Sequence, residues 1–287
     1  MGGLLRCVGR CAIPAVLAVL MIGSVGEAAD LTMVFCAPGY PGSTAEAQSA
    51  MEGFAMAVTT AAGWGRGDLA AEYFETEEGG VTRLAATDVG LGMVTLPFFL
   101  EHRDDLGLQP EMLAVPTGRK TEEPWSLVAG KGAVQQPADL DGWQLVSLAG
   151  HSETFVRGPA LGDWGELPPT LTITFSGAVL SSLRKAARGE KIVVLLDAEQ
   201  ADALDRLPFA GDLEIVHRSP PLPVSVVCSI GDRMIPEKKA ELVGALAGLA
   251  ERPDAADAMA GVRLDRFEPI DNEALEQAEA AFSGVAE

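Results

Sequence analysis

A chain of 287 residues, 48% hydrophobic and 22% charged, has enough apolar matter for one large domain or two of medium size. Its 32 glycines and 18 prolines fit an α/β protein with many tight connections and exclude collagen-like and disordered classes. A net charge of −20 repels phosphate backbones and anionic lipid surfaces, which argues against nucleic acid as a partner.

The N-terminus carries a targeting pattern. Arg6 and Arg10 precede an apolar run from Cys11 to Gly23, and Gly26-Glu27-Ala28 supplies a small-x-small cleavage site. The run falls short of the roughly 20 residues a membrane span needs. Residues 1–28 therefore read as an export signal, and the mature chain is expected in the periplasm, unanchored and monomeric. Cys36 and Cys228 remain after cleavage, both inside apolar runs. Export permits a disulfide between them, and two separate buried thiols are the alternative.

Leu31 to Cys36 reads as a buried strand that stops at Pro38-Gly39 and Pro41-Gly42. Ser43 with Glu46 three residues on forms a capping box for a helix from Ala45 to Ala62. The same grammar repeats: a strand at Leu69–Phe74, a short helix at Val81–Thr87, and a strand at Asp88–Thr95. Leu96 then opens a helix, and Met112–Val115 is another strand. Polar residues from Thr117 to Pro124 read as a linker, after which strands are expected at Trp125–Ala129 and Gln144–Leu148. A helix at Ser152–Leu161 follows, then one at Ser176–Gly189 with Leu180, Leu183 and Ala187 on one face, then a strand at Ile192–Leu196. Beyond the strand Leu213–Val216 lies a second linker, Ser219–Pro223. A strand at Val224–Ile230 and helices at Pro236–Leu249, Ala255–Ala260 and Asn272–Ala281 close the chain.

Alternating strands and helices imply mostly parallel sheets flanked by helices. The two linkers bracket a central block, so the chain is expected to leave one lobe, build a second, and return through a two-strand hinge. Residues 29–118 and 222–287 would form the first lobe and residues 119–221 the second.

Five segments carry a family resemblance: Asp88-Val-Gly-Leu-Gly92, Asp139-Leu-Asp-Gly-Trp143, Ala187-Arg-Gly-Glu-Lys-Ile-Val193, Ser219-Pro-Pro-Leu-Pro223 and Arg266-Phe-Glu-Pro-Ile-Asp271. By their order, Leu31 to Asp271 resembles the phosphonate-type periplasmic binding proteins of ABC importers, a branch of the two-lobed type II superfamily. The resemblance implies a carrier that hands a small, anionic, phosphate- or phosphonate-like ligand to an importer permease. It also implies that hydroxyls at a helix start in the second lobe hold the anion. That position reads Ser147-Leu-Ala-Gly-His-Ser-Glu-Thr154, with fewer hydroxyls than the family pattern and an added Glu153.

Helix starts attract anions through free N–H groups and the helix dipole. Tyr40, Ser43 and Thr44 in the first lobe and His151, Ser152 and Thr154 in the second are the expected ligand-facing residues. Thr95 and Ser176 lie at equivalent strand ends, Trp125 offers an aromatic wall, and Asp197 is placed to meet a ligand amine. Ser43 and Ser152 have a second reading as caps of their own helices. Catalysis finds little support: Gly150-His151-Ser152-Glu153-Thr154 lacks the second glycine of a nucleophile elbow. His102, His151 and His217 are too scattered for zinc, and no phosphate- or dinucleotide-binding glycine motif occurs, so no cofactor is expected. A ligand-sensing module that docks on a membrane sensor or another partner protein is the alternative function, and an exported hydrolase is a weaker one.

Overall fold

The computed structural model describes residues 31–40, 42–270 and 272–286, so the export signal read in residues 1–28 lies outside the described residues. The chain opens with β1 (Leu31–Cys36), α1 (Thr44–Ala62), β2 (Leu69–Phe74), α2 (Glu77–Leu84), β3 (Val89–Thr95), α3 (Leu96–Leu106) and β4 (Leu108–Pro116). Short β5 (Glu122–Glu123) leads to β6 (Ser126–Gly130), β7 (Gln144–Ser147), α4 (Glu153–Phe155), β8 (Thr172–Phe175), α5 (Val179–Ala187), β9 (Ile192–Leu196), α6 (Ala198–Asp202) and β10 (Leu213–Arg218). Short β11 (Leu222–Pro223) returns the chain to β12 (Ser225–Ile230), α7 (Pro236–Ala247), α8 (Ala256–Gly261), β13 (Leu264–Glu268) and α9 (Asn272–Ala286).

Two sheets result, ordered β13-β4-β12-β3-β1-β2 and β10-β6-β9-β7-β8. Both are mixed. β2-β1-β3 and β8-β7-β9 are parallel, as the strand–helix alternation predicts. β12 enters from the other lobe, so it runs antiparallel to β3 and β4, and β6 pairs antiparallel with both β9 and β10. Between the sheets, β5 and β11 pair antiparallel through Leu222 opposite Glu123 and Pro223 opposite Glu122. This is the two-strand hinge. Trp125 and Ser219 bind it on the second-lobe side: each donates its backbone N–H to the other residue, at 2.9 Å.

Strand alternation sorts the first lobe's core into two layers. Met33, Phe35, Leu91 and Met93 face α1, α7 and α8, while Val34, Cys36, Val94 and Cys228 face α2 and α3. The second layer continues through Trp125 and Leu222 into Leu127, Leu145, Phe155 and Val193 of the second lobe. Apolar packing thus runs unbroken past the hinge. α9 follows the first lobe's β13 in the chain but packs against residues 153–160 and β11, and joins α3 through an Arg103–Glu279 ion pair. Among the described residues no helix is long and apolar enough to cross a membrane.

Three local readings shift. α2 begins four residues earlier than expected, because Thr76 accepts the Gly79 N–H and caps it. α5 begins at Val179 and turns Ser182, Leu183 and Ala186 inward, leaving Leu180 42% exposed. The expected helix at Ser152–Leu161 is one α turn followed by a wider turn over Val156–Ala160, which contains Pro159. Proline supplies no N–H to continue an α ladder. Cys36 and Cys228 are both free and buried. They sit on β1 and β12 with β3 between, so roughly 10 Å of sheet separates strands whose cysteines would need Cα atoms within about 7 Å.

Candidate ligand-binding cavity

The loops that follow β1, β3, β7 and β9 converge between the lobes, at the carboxyl ends of parallel strands where open α/β sheets place their ligands. They enclose, with the hinge, a cavity of about 830 Å³. Its wall is largely apolar, with Phe35, Met51, Met93, Leu148 and Leu222 prominent.

Five of the expected residues line this cavity: Tyr40, Thr95, Trp125, His151 and Asp197. Tyr40 and Asp197 meet across the lobes, the phenol donating to Asp197 Oδ2 at 2.8 Å. Burial pushes the Tyr40 hydroxyl well above its usual range, and the adjacent Asp197 charge adds to the effect. Burial likewise raises Asp197, against the opposing hydrogen bonds from Gln200 N–H and Tyr40. Asp197 also caps α6, which is the turn-and-cap role its position after a strand allows. Thr95 precedes α3 with its hydroxyl uncommitted to a cap. Trp125 is buried and presents its ring edge-on to Phe155.

The other five are spent elsewhere. Ser43 and Glu46 close the capping box of α1 on each other. Thr44 gives both its N–H and its hydroxyl to Glu75, at 3.1 and 2.7 Å. Ser176 accepts the Ala178 N–H, and Thr154 lies half-buried on α4 outside the cavity wall. Ser152 is fully buried: its hydroxyl donates to Glu101 Oε2 of α3 at 2.5 Å and accepts the Phe155 N–H. The helix-start hydroxyl expected to hold an anion instead holds a carboxylate of the opposite lobe. Glu153, the added acid, is paired with Arg157 away from the cavity wall.

His151 stands apart. Its Nδ1 lies 2.9 Å from the Leu148 carbonyl, which can only accept, so Nδ1 carries the proton and Nε2 is left as an acceptor. That Nε2 is buried and has no partner among the described residues. Burial lowers the basicity of the ring, against the opposing pull of Glu77.

Sequence reasoning missed the charged part of the wall: Glu46, Arg119, Glu123, Glu199 and Arg263. Arg119 binds Glu123 at 2.6 Å and Asp202 at 2.7 Å, tying the linker to the second lobe. Arg263 is the one non-glycine among the described residues with φ in the left-handed region, at 56°. Nothing local in the sequence marks either, because the hinge and the α8–β13 turn bring them to the cavity.

No family model and no curated protein matches the chain. Solved structures do. XAC2383 from Xanthomonas citri, seen bound to chloride and to ATP, superposes with TM-scores of 0.71 and 0.69 at 16% identity, over 89% of this chain and 98% of that one. PhnD1 from Prochlorococcus marinus, in complex with methylphosphonate, superposes with a TM-score of 0.63 at 13% identity over 90% of this chain and 98% of its own. The aliphatic sulphonate binding protein SsuA from Escherichia coli gives 0.52 at 12% identity, over 90% and 93%. The chain therefore has the two-lobed fold of the type II periplasmic solute-binding proteins, and it resembles their phosphonate-binding branch.

Proposed function

We propose that this chain is a periplasmic solute-binding protein, not an enzyme, which closes on a small solute and hands it to an ABC importer permease. One observation carries the reading: a cavity of about 830 Å³ lies between two lobes joined by a two-strand hinge, and Tyr40–Asp197 and Glu101–Ser152 bridge the lobes beside it. Such an arrangement can sequester a ligand by rigid-body closure, with the hinge strands absorbing the rotation. Delivery to an importer is supported by likeness to the binding component of an ABC phosphonate transporter from Pseudomonas aeruginosa, with a TM-score of 0.62 at 14% identity. The anionic cargo expected from the sequence would rely on Arg119 and Arg263, since the Ser152 hydroxyl is committed to Glu101.

The test is a thermal-shift screen of the purified chain against phosphates, phosphonates, sulfonates, carboxylates, amines and neutral solutes. A true ligand at a hundred times its dissociation constant adds about 2.7 kcal/mol of stability. If no solute raises the melting temperature, the carrier function fails.

A further inference from the structure

The helix starts beside the cavity are occupied by the chain itself. At α1, Ser43 gives its N–H and hydroxyl to Glu46, and Thr44 gives both of its own to Glu75. At α6 the Gln200 N–H is taken by Asp197, and at α4 the Ser152 hydroxyl serves Glu101. α3 opens with the Leu96 N–H on the Val224 carbonyl and with Pro97, which has no N–H to give. At three of these four starts, the place an anion would take is held by a carboxylate of the protein.

The ionisable groups of the wall are spent in the same way. Arg119 is held by Glu123 and Asp202, while Asp197 accepts from Tyr40 on one oxygen and from Gln200 on the other. His151 has its Nδ1 on the Leu148 carbonyl and its Nε2 sealed from solvent. Glu46, Glu199 and Arg263 are exposed, so water already solvates them. Among the described residues, the wall therefore has no charge that is both buried and unpaired. A charged solute would lose its hydration there with nothing to replace it. What the wall does offer is apolar surface, from the buried Phe35, Met51, Met93, Trp125, Leu148 and Leu222. About 830 Å³ fits a solute of many heavy atoms, whereas phosphate or methylphosphonate would leave most of that surface without contact. Thr95, half-buried and with no cap bond of its own, supplies one hydroxyl for a polar atom of the solute.

From this wall we infer that the cavity takes an uncharged, mostly apolar organic solute with a carbonyl or hydroxyl as its polar group, held by contact with Met51, Met93, Trp125 and Leu148. The inference rests on the carrier function proposed above and names its class of cargo.

A series matched in shape and varied in charge tests it, by calorimetry and thermal shift on the purified full chain at pH 7. The probes are 4-phenyl-2-butanone, 2-acetylnaphthalene, 3-phenylpropionate, 3-phenylpropylamine, phenylphosphonate and phosphate. The two ketones should bind, the larger one more tightly. The carboxylate, amine and phosphonate should bind roughly tenfold or more weakly than the matched ketone, since each brings an unpaired charge into the cavity. Ala47 lines the cavity from α1 and is half-buried, so Ala47→Trp should fill part of the volume and weaken the ketones roughly tenfold. Met93→Gln keeps the length of the side chain but puts an amide into the apolar wall, and should weaken them as well. Circular dichroism checks that each variant folds, and either one carries the test if the other does not. A carboxylate, amine or phosphonate that binds as tightly as the matched ketone overturns the assigned cargo class and leaves the carrier function standing. Ketone binding unchanged in the folded variants overturns the cavity as its site. Binding by neither ketone overturns the cargo class, and the carrier function falls only if the broader solute screen is also blank.

Discussion

Replacing Ser152 by alanine separates a clasp from an anion site. The Ser152 hydroxyl has two jobs in the structure, donating to Glu101 at 2.5 Å and accepting the Phe155 N–H at 3.2 Å as the cap of α4. Losing an N-cap side chain costs about 1 kcal/mol. Losing a hydrogen bond to a charged group costs about 1.5–3 kcal/mol, and the lower end applies because Glu101 is only half-buried and water can reach it once freed. One oxygen atom leaves no cavity of consequence, so the expected loss is about 2–3 kcal/mol. Chemical denaturation monitored by circular dichroism at pH 7 measures it, with the slope against denaturant unchanged. The corresponding drop in melting temperature is roughly 3–5 °C for a chain of this size. A double-mutant cycle with Glu101→Ala should return a coupling of about 1 kcal/mol or more, since the two side chains touch across the lobes. If Ser152→Ala costs less than 0.5 kcal/mol on the scale of an ordinary surface change, or if the cycle is additive, the clasp is wrong.

Gly39 lies at φ +77°, and a Cβ there would come within 2.6 Å of Leu148 Cδ2 and 3.0 Å of the Phe175 ring in the other lobe. Gly39→Ala should therefore hold the lobes apart. Small-angle scattering should show a larger radius of gyration than the parent, and an unchanged profile would show that the approach is not limiting. Asp88 accepts hydrogen bonds from Arg83 and from Thr32, which hold its carboxyl far below the usual carboxylate range. A depressed folded-state value contributes stability that is present above about pH 4, where the unfolded carboxylate is ionised, and is lost as acid protonates it. Asp88→Asn should thus destabilise at pH 7, with its gap from the parent narrowing below pH 4; a gap constant down to pH 2.5 would refute the linkage.

The strand and helix ladder of the first lobe was legible because its signals are local. An apolar run, a glycine turn and the Ser43–Glu46 box all fall within Leu31 to Ala62, and the structure keeps them in place. The two hinge linkers were legible from composition, and β5 and β11 pair where those linkers lie. The parallel trios were legible too. What strand–helix alternation could not show was the antiparallel insertion of β12, since the direction of a returning strand depends on which lobe it comes from.

The expected ligand-facing residues divide along the same line. Sequence by itself placed Thr95 and Asp197 at strand ends and Tyr40 and His151 in the loops before helix starts, because such positions are read from neighbours in the chain. Only the tertiary structure decided what each of them meets. Tyr40 and Asp197 are 157 residues apart, and Ser152 and Glu101 are 51 apart. Ser152 looked like an anion donor because its own helix start is all the sequence displays. The carboxylate that takes its proton arrives from the opposite lobe, and no local pattern encodes a contact created by the closing of two lobes on one another.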